Sequence, residues 1–467
     1  MLGIGFRPSA SKRGLYAHDR GIGYLVRSIM TAFLGIVGRT ADITLVMFLL
    51  MQFALAFRVS QTVLLHLCYR RTGLERERLA LTQPLPAEDE LPAVLIQIPT
   101  FNEGHLVRRA LDAAVSLNWP RDKLQIQLLD DSTDASAEIA RATVAEFRRR
   151  GHDVTLIQRA HRAGFKAGAL TAGLACSGQP FVAMFDADYV PPADFLRLCL
   201  RPLLDDPRLA FVQARCDFLN ARENRVTHAQ QVILESHFAV EQPTRCWAGQ
   251  VLPFNGTCGI WRRAAIDSAG GWHGDTLTED LDLSYRAQMR GWRALYLVSV
   301  AVPGELPNSL ASWGQQQCRW NKGFAETARK LLPSIWRSDL PWMRKLDAAL
   351  HLGGCAFGLL LAAIGILCWI DVLLGTLNYS LVLPLAALGL LQGVMGALAM
   401  ALLSSNFLRM SGVDAQPRGF ATTCRLTLYT VLMHHYAAAL SAGSVLNGIR
   451  GRRSGFVRTP KRVRLSG

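Results

Sequence analysis

PFVAMFDADYVPP, Pro180 to Pro192, sets an apolar run, Phe181 to Phe185, directly against two carboxylates, Asp186 and Asp188. A short apolar run bounded by prolines reads as a buried strand, and its acidic end as the loop that follows. The same grammar repeats upstream and downstream. PAVLIQIPT (92–100), LQIQLLDDSTDAS, VTLIQR and LAFVQAR read as further strands. Between them, FNEGHLVRRALDAAVSL, AEIARATVAEFRRR and FKAGALTAGLA carry apolar residues at helical spacing. Alternation of this kind predicts an α/β domain, a mostly parallel sheet with helices on both faces. The polar residues gather where the strands end, which in open α/β sheets is where ligands bind.

The chain around this domain is different in character. Of 467 residues, half are hydrophobic, and the formal net charge is +15. Apolar residues concentrate at 41–68, 346–374 and 380–404, each long enough for a membrane-crossing helix of about 20 residues, with a weaker stretch at 421–448. Basic runs flank these stretches, as at Arg70, Arg71, Arg76 and Arg78, at Arg337, Arg344 and Lys345, and from Arg450 to Arg462. Lys and Arg placed so favour a membrane over nucleic acid and put the α/β domain on the cytoplasmic side of the inner membrane. Ten cysteines show no zinc-ligand spacing and suit a reducing compartment. The expected organisation is a basic, partly interfacial segment (1–40), a transmembrane helix (41–70), the α/β domain (90–310), interfacial helices (311–345), two transmembrane helices (346–404), an amphipathic interfacial helix (420–450) and a basic tail (451–467).

Several clusters could carry chemistry. Asp186 and Asp188 offer the hard oxygen ligands that Mg2+ or Mn2+ take beside a diphosphate; the same pair would also serve as loop caps. Asp130 and Asp131 could accept hydrogen bonds from a nucleoside, or simply cap a turn. Glu279 and Asp280 open a helix where its dipole favours carboxylates, which fits either capping or a general base. Arg162 and Lys166, among glycines ahead of a helix, could balance phosphate charge. In QQQCRWNKG, Gln315 to Gly323, the residues Gln316 and Trp320 lie one helical turn apart, with Arg319 beside them. Tryptophan suits a pyranose face and arginine a phosphate, although both also anchor helices at a membrane surface.

Taken in order, PTFNE, LLDDS, KAG, FDADY, FNGTCG, TED, QxxRW and FVRTPK resemble the membrane-embedded family-two glycosyltransferases, such as cellulose synthase and the cellulose synthase-like mannan and glucan synthases. The likeness covers roughly residues 90–461. It implies a GT-A fold, a nucleotide-sugar donor and a divalent metal, Mg2+ or Mn2+. It implies that Thr100, Glu103, Asp130 or Asp131 touch the nucleoside, with Arg162 and Lys166 as further donor contacts. Asp186 and Asp188 would hold metal and diphosphate, and Asp280, beside Glu279, would be the base. Gln316, Arg319 and Trp320 would meet donor and acceptor, with Cys258 near the acceptor. Phe456, Thr459 and Lys461 would match a gating segment.

The resulting expectation is inverting transfer from UDP-glucose, or next GDP-mannose, to a growing β-linked polysaccharide. The alternatives are transfer to a membrane lipid and a non-catalytic scaffold. Some three spans hardly enclose a glycan, so paired chains, an accessory export subunit, a short product or a lipid acceptor follows.

Overall fold

The computed structural model describes residues 11–375, 377–411 and 419–452. The chain runs α1 (Ser11–Thr82), β1 (Val94–Thr100), α2 (Gly104–Val115), β2 (Leu124–Asp130), α3 (Ser136–Arg149), β3 (Val154–Gln158), α4 (Phe165–Ala175), β4 (Phe181–Met184) and α5 (Phe195–Asp205). It continues through β5 (Leu209–Phe218), α6 (Arg225–Ser236), a π-turn (His237–Glu241), α7 (Gln242–Trp247), β6 (Gly259–Arg262), α8 (Arg263–Ser268), α9 (Glu279–Met289) and β7 (Arg293–Gly304). Helices complete it: α10 (Leu310–Arg337), α11 (Trp342–Gly353), α12 (Ala356–Leu374), α13 (Tyr379–Met410) and α14 (Phe420–Ile449).

Two units are distinguishable. One comprises Met1–Ala54 and Leu360–Leu390, the other Leu55–Leu359 and Leu391–Gly467. The larger is built on a seven-stranded sheet in the order β3-β2-β1-β4-β6-β5-β7. Only β6 runs antiparallel, against β4 and β5. The five strands read from the sequence are present, and β6 and β7 extend them. Side chains alternate across the sheet as strand geometry requires. Val94, Ile96 and Ile98 enter one core with residues of α2, α3 and α5. Leu95 enters the other with residues of α4, α8 and Trp261. Both faces are thus covered, which explains the nearly continuous apolar runs of β1, β2 and β4.

Residues 1–40 and 41–70 are separate in the sequence-based organisation, but one helix, α1, runs from Ser11 to Thr82. Its part beyond Leu55 is packed on the larger unit, through Arg58 to Glu241 at 3.1 Å, His66 to Thr244 at 3.0 Å and Glu77 to Ser299 Oγ at 2.6 Å. Among the described residues, Ala356–Leu373 and Tyr379–Met410 are long and apolar enough to cross a membrane. The polar stripe of α14 turns inward: Thr423, Thr427, Thr430 and Ser441 are buried, and Asn321 Nδ2 donates to Ser441 Oγ at 3.2 Å. Leu428, Leu432 and Leu440 lie on its exposed side instead.

One close approach ties the C-terminal helices to the sheet domain. α10 lies against the start of α9 at Gly323, where an added Cβ would fall 2.5 Å from Thr278 Cγ2. Around it, Thr278 and Thr327 hydroxyls meet at 3.2 Å, and the Leu277 N–H donates to Glu326 at 2.8 Å. Lys330 of α10 closes the contact on Asp275 at 2.7 Å and Asp282 at 3.0 Å. Gly323→Ala must push α9 away and should destabilise by about 1–3 kcal/mol despite the better helix propensity of alanine. Gly443→Ala, in α14 with open space around it, should be neutral or stabilising. Thermal unfolding in detergent compares the two; equal shifts would contradict the close packing at Gly323.

Candidate active site

The strand ends and α10 enclose one cavity of about 330 Å³. Thr100, Glu103, Asp131, Arg162, Lys166, Asp186, Asp188, Glu279, Asp280, Gln316, Arg319 and Trp320 all line it. Twelve positions spread over more than two hundred residues therefore meet in one place. α10 contributes through its helical period: Gln316, Arg319 and Trp320 share a face, and Phe324 follows one turn later.

The centre is a set of carboxylates around one ammonium. Lys166 Nζ donates to Asp186 Oδ1 at 2.6 Å and to the Gly256 carbonyl at 2.8 Å. Gly256 has φ +73°, and an added Cβ there would lie 2.8 Å from Asp280 Oδ2 and 3.4 Å from Lys166 Nζ. The positive φ favours glycine at this point, and any side chain there would displace the Asp280 carboxylate. Asp186 is fixed by its N–H, which donates to Thr257 Oγ1 at 2.9 Å, and Asp188 Oδ2 accepts from the Glu305 N–H at 3.4 Å.

The charges act strongly on one another. Burial pushes the Glu279 carboxyl up to about 7; Asp280 adds to the shift and Lys166 opposes it. Burial also raises Asp280, with Lys166 and the Leu281 N–H opposing. Burial works against charge on Lys166, but Asp186, Glu279 and Asp280 together outweigh it and hold the ammonium firmly protonated. Burial lowers Arg319, against the pull of Glu279, Asp186 and Asp280.

A hard divalent cation fits Asp186 and Asp188: both are carboxylates lining the cavity, and the acidic groups beside them already repel one another. A second acidic group, His273, Asp275 and Asp282, does not line the cavity. There the Lys330 ammonium stands 2.7 Å from Asp275, 3.0 Å from Asp282 and 3.0 Å from His273.

The structure sorts the remaining expectations. Asp130 does not line the cavity; its carboxylate accepts from Thr100 Oγ1 at 3.1 Å, Gln158 Nε2 at 2.9 Å and the Ser132 N–H at 3.1 Å. Asp131, the first residue past β2, lines the cavity instead, paired with Arg159 and 3.8 Å from Arg162. The Arg162 guanidinium lies 3.4 Å over the Phe101 ring. Cys258 is fully buried in the sheet core, at φ +60°, and Asn255, Gly256 and Thr257 of the same loop line the cavity instead. Thr459 and Lys461, with Phe456, lie outside the described residues. Sequence reasoning missed His237, Gln242, Asn255 and Glu305, which also line the cavity; the first two stand in an otherwise ordinary stretch, HFAVEQPT.

Comparison with known proteins agrees with this geometry. The family described as glycosyltransferase like family 2 matches residues 92–323. Glucomannan 4-beta-mannosyltransferase 2 of Arabidopsis thaliana is 41% identical over 265 residues, covering 55% of this chain and 50% of its own. Glucomannan 4-beta-mannosyltransferase 9 of the same plant is 43% identical over 244 residues, covering 51% and 46%. The chain thus spans about half the length of the curated relatives it matches. The solved structure of mannosyltransferase PcManGT from Pyrobaculum calidifontis, in complex with GDP-Man and Mn2+, superposes with TM-score 0.50 at 21% identity, covering 84% of this chain and 98% of that one, a likeness of fold. Residues 92–323, which run from β1 through the Asp186–Asp188 loop to the QxxRW helix, are a family-2 glycosyltransferase domain of the GT-A fold.

Proposed function

We propose that the chain transfers mannose from GDP-mannose, with inversion, to a hydroxyl of a growing β-linked glycan at a membrane surface. The observation that carries the reading is the meeting of Asp186, Asp188, Asp280, Arg319 and Trp320 in one cavity. The donor differs from the UDP-glucose expected from the motifs, because the relatives at 41% and 43% identity are named mannosyltransferases. Their names also specify a polysaccharide, glucomannan, so a lipid acceptor is not favoured. The two apolar spans support a membrane location, and the flanking basic runs support a cytoplasmic catalytic domain.

Asp186 and Asp188 would hold Mg2+ or Mn2+, whose charge offsets that of the departing diphosphate. Arg319 adds a second positive centre on the same cavity wall. Asp131 and Arg162, at the ends of β2 and before α4, would meet the nucleoside, with Thr100 and Glu103 alongside. Trp320 gives the acceptor sugar a flat apolar face. Asp280 takes the proton of the attacking hydroxyl: burial raises its affinity for a proton, while Lys166 beside it opposes that shift. One displacement at the anomeric carbon converts an α-linked donor into a β-linkage.

Asp280→Asn should lower transfer by about 10²–10⁴-fold, read with labelled GDP-mannose and a product sized before and after β-mannanase. Product from UDP-glucose alone would overturn the donor assignment. Asp188→Asn should remove the dependence of turnover on added Mn2+ or Mg2+ together with most of the activity.

The carboxylates give a second test. With Glu279 raised from 4.5 to about 7, the folded state binds its proton more tightly than the unfolded chain between those values. Stability of the metal-free protein should therefore fall as pH rises through that window. Mn2+ should move the Glu279 midpoint down, as followed by carboxyl NMR. A midpoint that Mn2+ leaves in place would mean that the ion binds away from Asp186 and Asp188.

A further inference from the structure

The cavity wall includes a second polar group that none of the roles above uses. It comes from the segment between β5 and β6: His237 from the π-turn, Gln242 at the start of α7 and Asn255 in the loop before β6. Single π-turns interrupting helices often mark functional places.

The hydrogen bonds within this group fix how it faces. Arg58 pairs with Glu241 at 3.1 Å and keeps it a carboxylate, which can only accept. His237 Nδ1, 2.9 Å from Glu241 Oε2, therefore carries the proton, and His237 Nε2 accepts from Gln242 Nε2 at 3.1 Å. The same Gln242 nitrogen donates to Asn255 Oδ1 at 2.8 Å. Both amides are oriented by these contacts. Their other halves, Gln242 Oε1 and Asn255 Nδ2, are buried and have no hydrogen-bond partner among the described residues. Gln242 is 0% exposed. Buried polar atoms of this kind are costly to the fold unless something meets them. Both residues line the cavity, and an acceptor oxygen and a donor NH2 together match a sugar hydroxyl, which both gives and takes a hydrogen bond.

The sheet order says which sugar. Asp131 and Thr100 belong to β2 and β1, and Asp186 follows β4. Asn255 precedes β6, which lies on the opposite side of β4 from β1. The amide pair thus stands across the diphosphate centre from the nucleoside end. Trp320 and Phe324, one turn apart on α10, supply aromatic faces to the same cavity.

On the transferase reading above, we infer that His237, Gln242 and Asn255 form a subsite that reads a hydroxyl of the acceptor saccharide. Gln242 and Asn255 make the contacts. His237 is a positioning residue that holds the Gln242 amide the right way round.

The test compares wild type, Gln242→Leu and Gln242→Glu in two assays: hydrolysis of GDP-mannose without acceptor, and transfer to soluble β-1,4-linked mannotetraose. Gln242→Leu should raise the KM for mannotetraose about tenfold or more, leave donor KM and hydrolysis within about twofold, and lower the thermal midpoint by a few degrees at most, since the contacts to His237 Nε2 and Asn255 Oδ1 go with it. Gln242→Glu keeps acceptor oxygens but cannot donate to His237 Nε2 or Asn255 Oδ1, so it should not restore the acceptor KM. Asn255→Ala gives the same readout should Gln242→Leu not fold. An unchanged acceptor KM, or hydrolysis falling in parallel with transfer, overturns the subsite alone. Wild-type protein that turns over no GDP-mannose overturns the transferase reading and the subsite with it.

Discussion

The approach of α10 to the start of α9, with Gly323 against Thr278, governs the rest of this site. A side chain at residue 323 would hold the helices apart, and the groups on either side of the contact would then miss one another. Three residues before Gly323 stands Trp320; two residues after Thr278 stands Asp280. The contact therefore sets the spacing between Trp320 and Asp280 across the cavity. Thr327, Glu326 and Lys330 extend the same seam along α10 with hydrogen bonds and ion pairs. The helix that leads the chain towards its apolar spans is in this way also a wall of the catalytic cavity.

Electrostatics supply the second constraint. Asp186, Glu279 and Asp280 crowd around Lys166, and burial raises Glu279 and Asp280. A cluster so poised responds strongly to added positive charge, because each cationic group relieves several repulsions at once. A divalent cation held by Asp186 and Asp188 would join Lys166 and Arg319 in one charge balance. The second acidic group shows the contrast: Lys330 already neutralises Asp275 and Asp282 there, and that group serves the seam between the helices.

Much of this was legible in the chain. The strand ends were marked by a change from apolar to acidic residues, as at Phe185-Asp186, and the face of α10 by the spacing of Gln316 and Trp320. What escaped has physical causes. Asp130 and Asp131 are chemically alike, and only the fold decides between them: Asp130, the last residue of β2, is tied up by Gln158 and Thr100, and Asp131 just past it lines the cavity. Cys258 was singled out by its loop, but the left-handed turn there buries it and presents Asn255. His237 and Gln242 are ordinary residues until a π-turn brings them together. The stripe of Thr and Ser on α14 suggested an amphipathic helix but not which side faces α10, where Thr423, Thr427, Thr430 and Ser441 are buried and Asn321 meets Ser441.

The central claim is that these groups form one centre for nucleotide-sugar transfer, and a cryo-EM map of the protein with Mn2+ and GDP-mannose, using Asp280→Asn to stop turnover, addresses it most directly. The account predicts metal density between Asp186 and Asp188, the diphosphate towards Arg319, and the mannose between Trp320 and residue 280. Nucleotide density outside this cavity, or a metal seated instead among His273, Asp275 and Asp282, would contradict it.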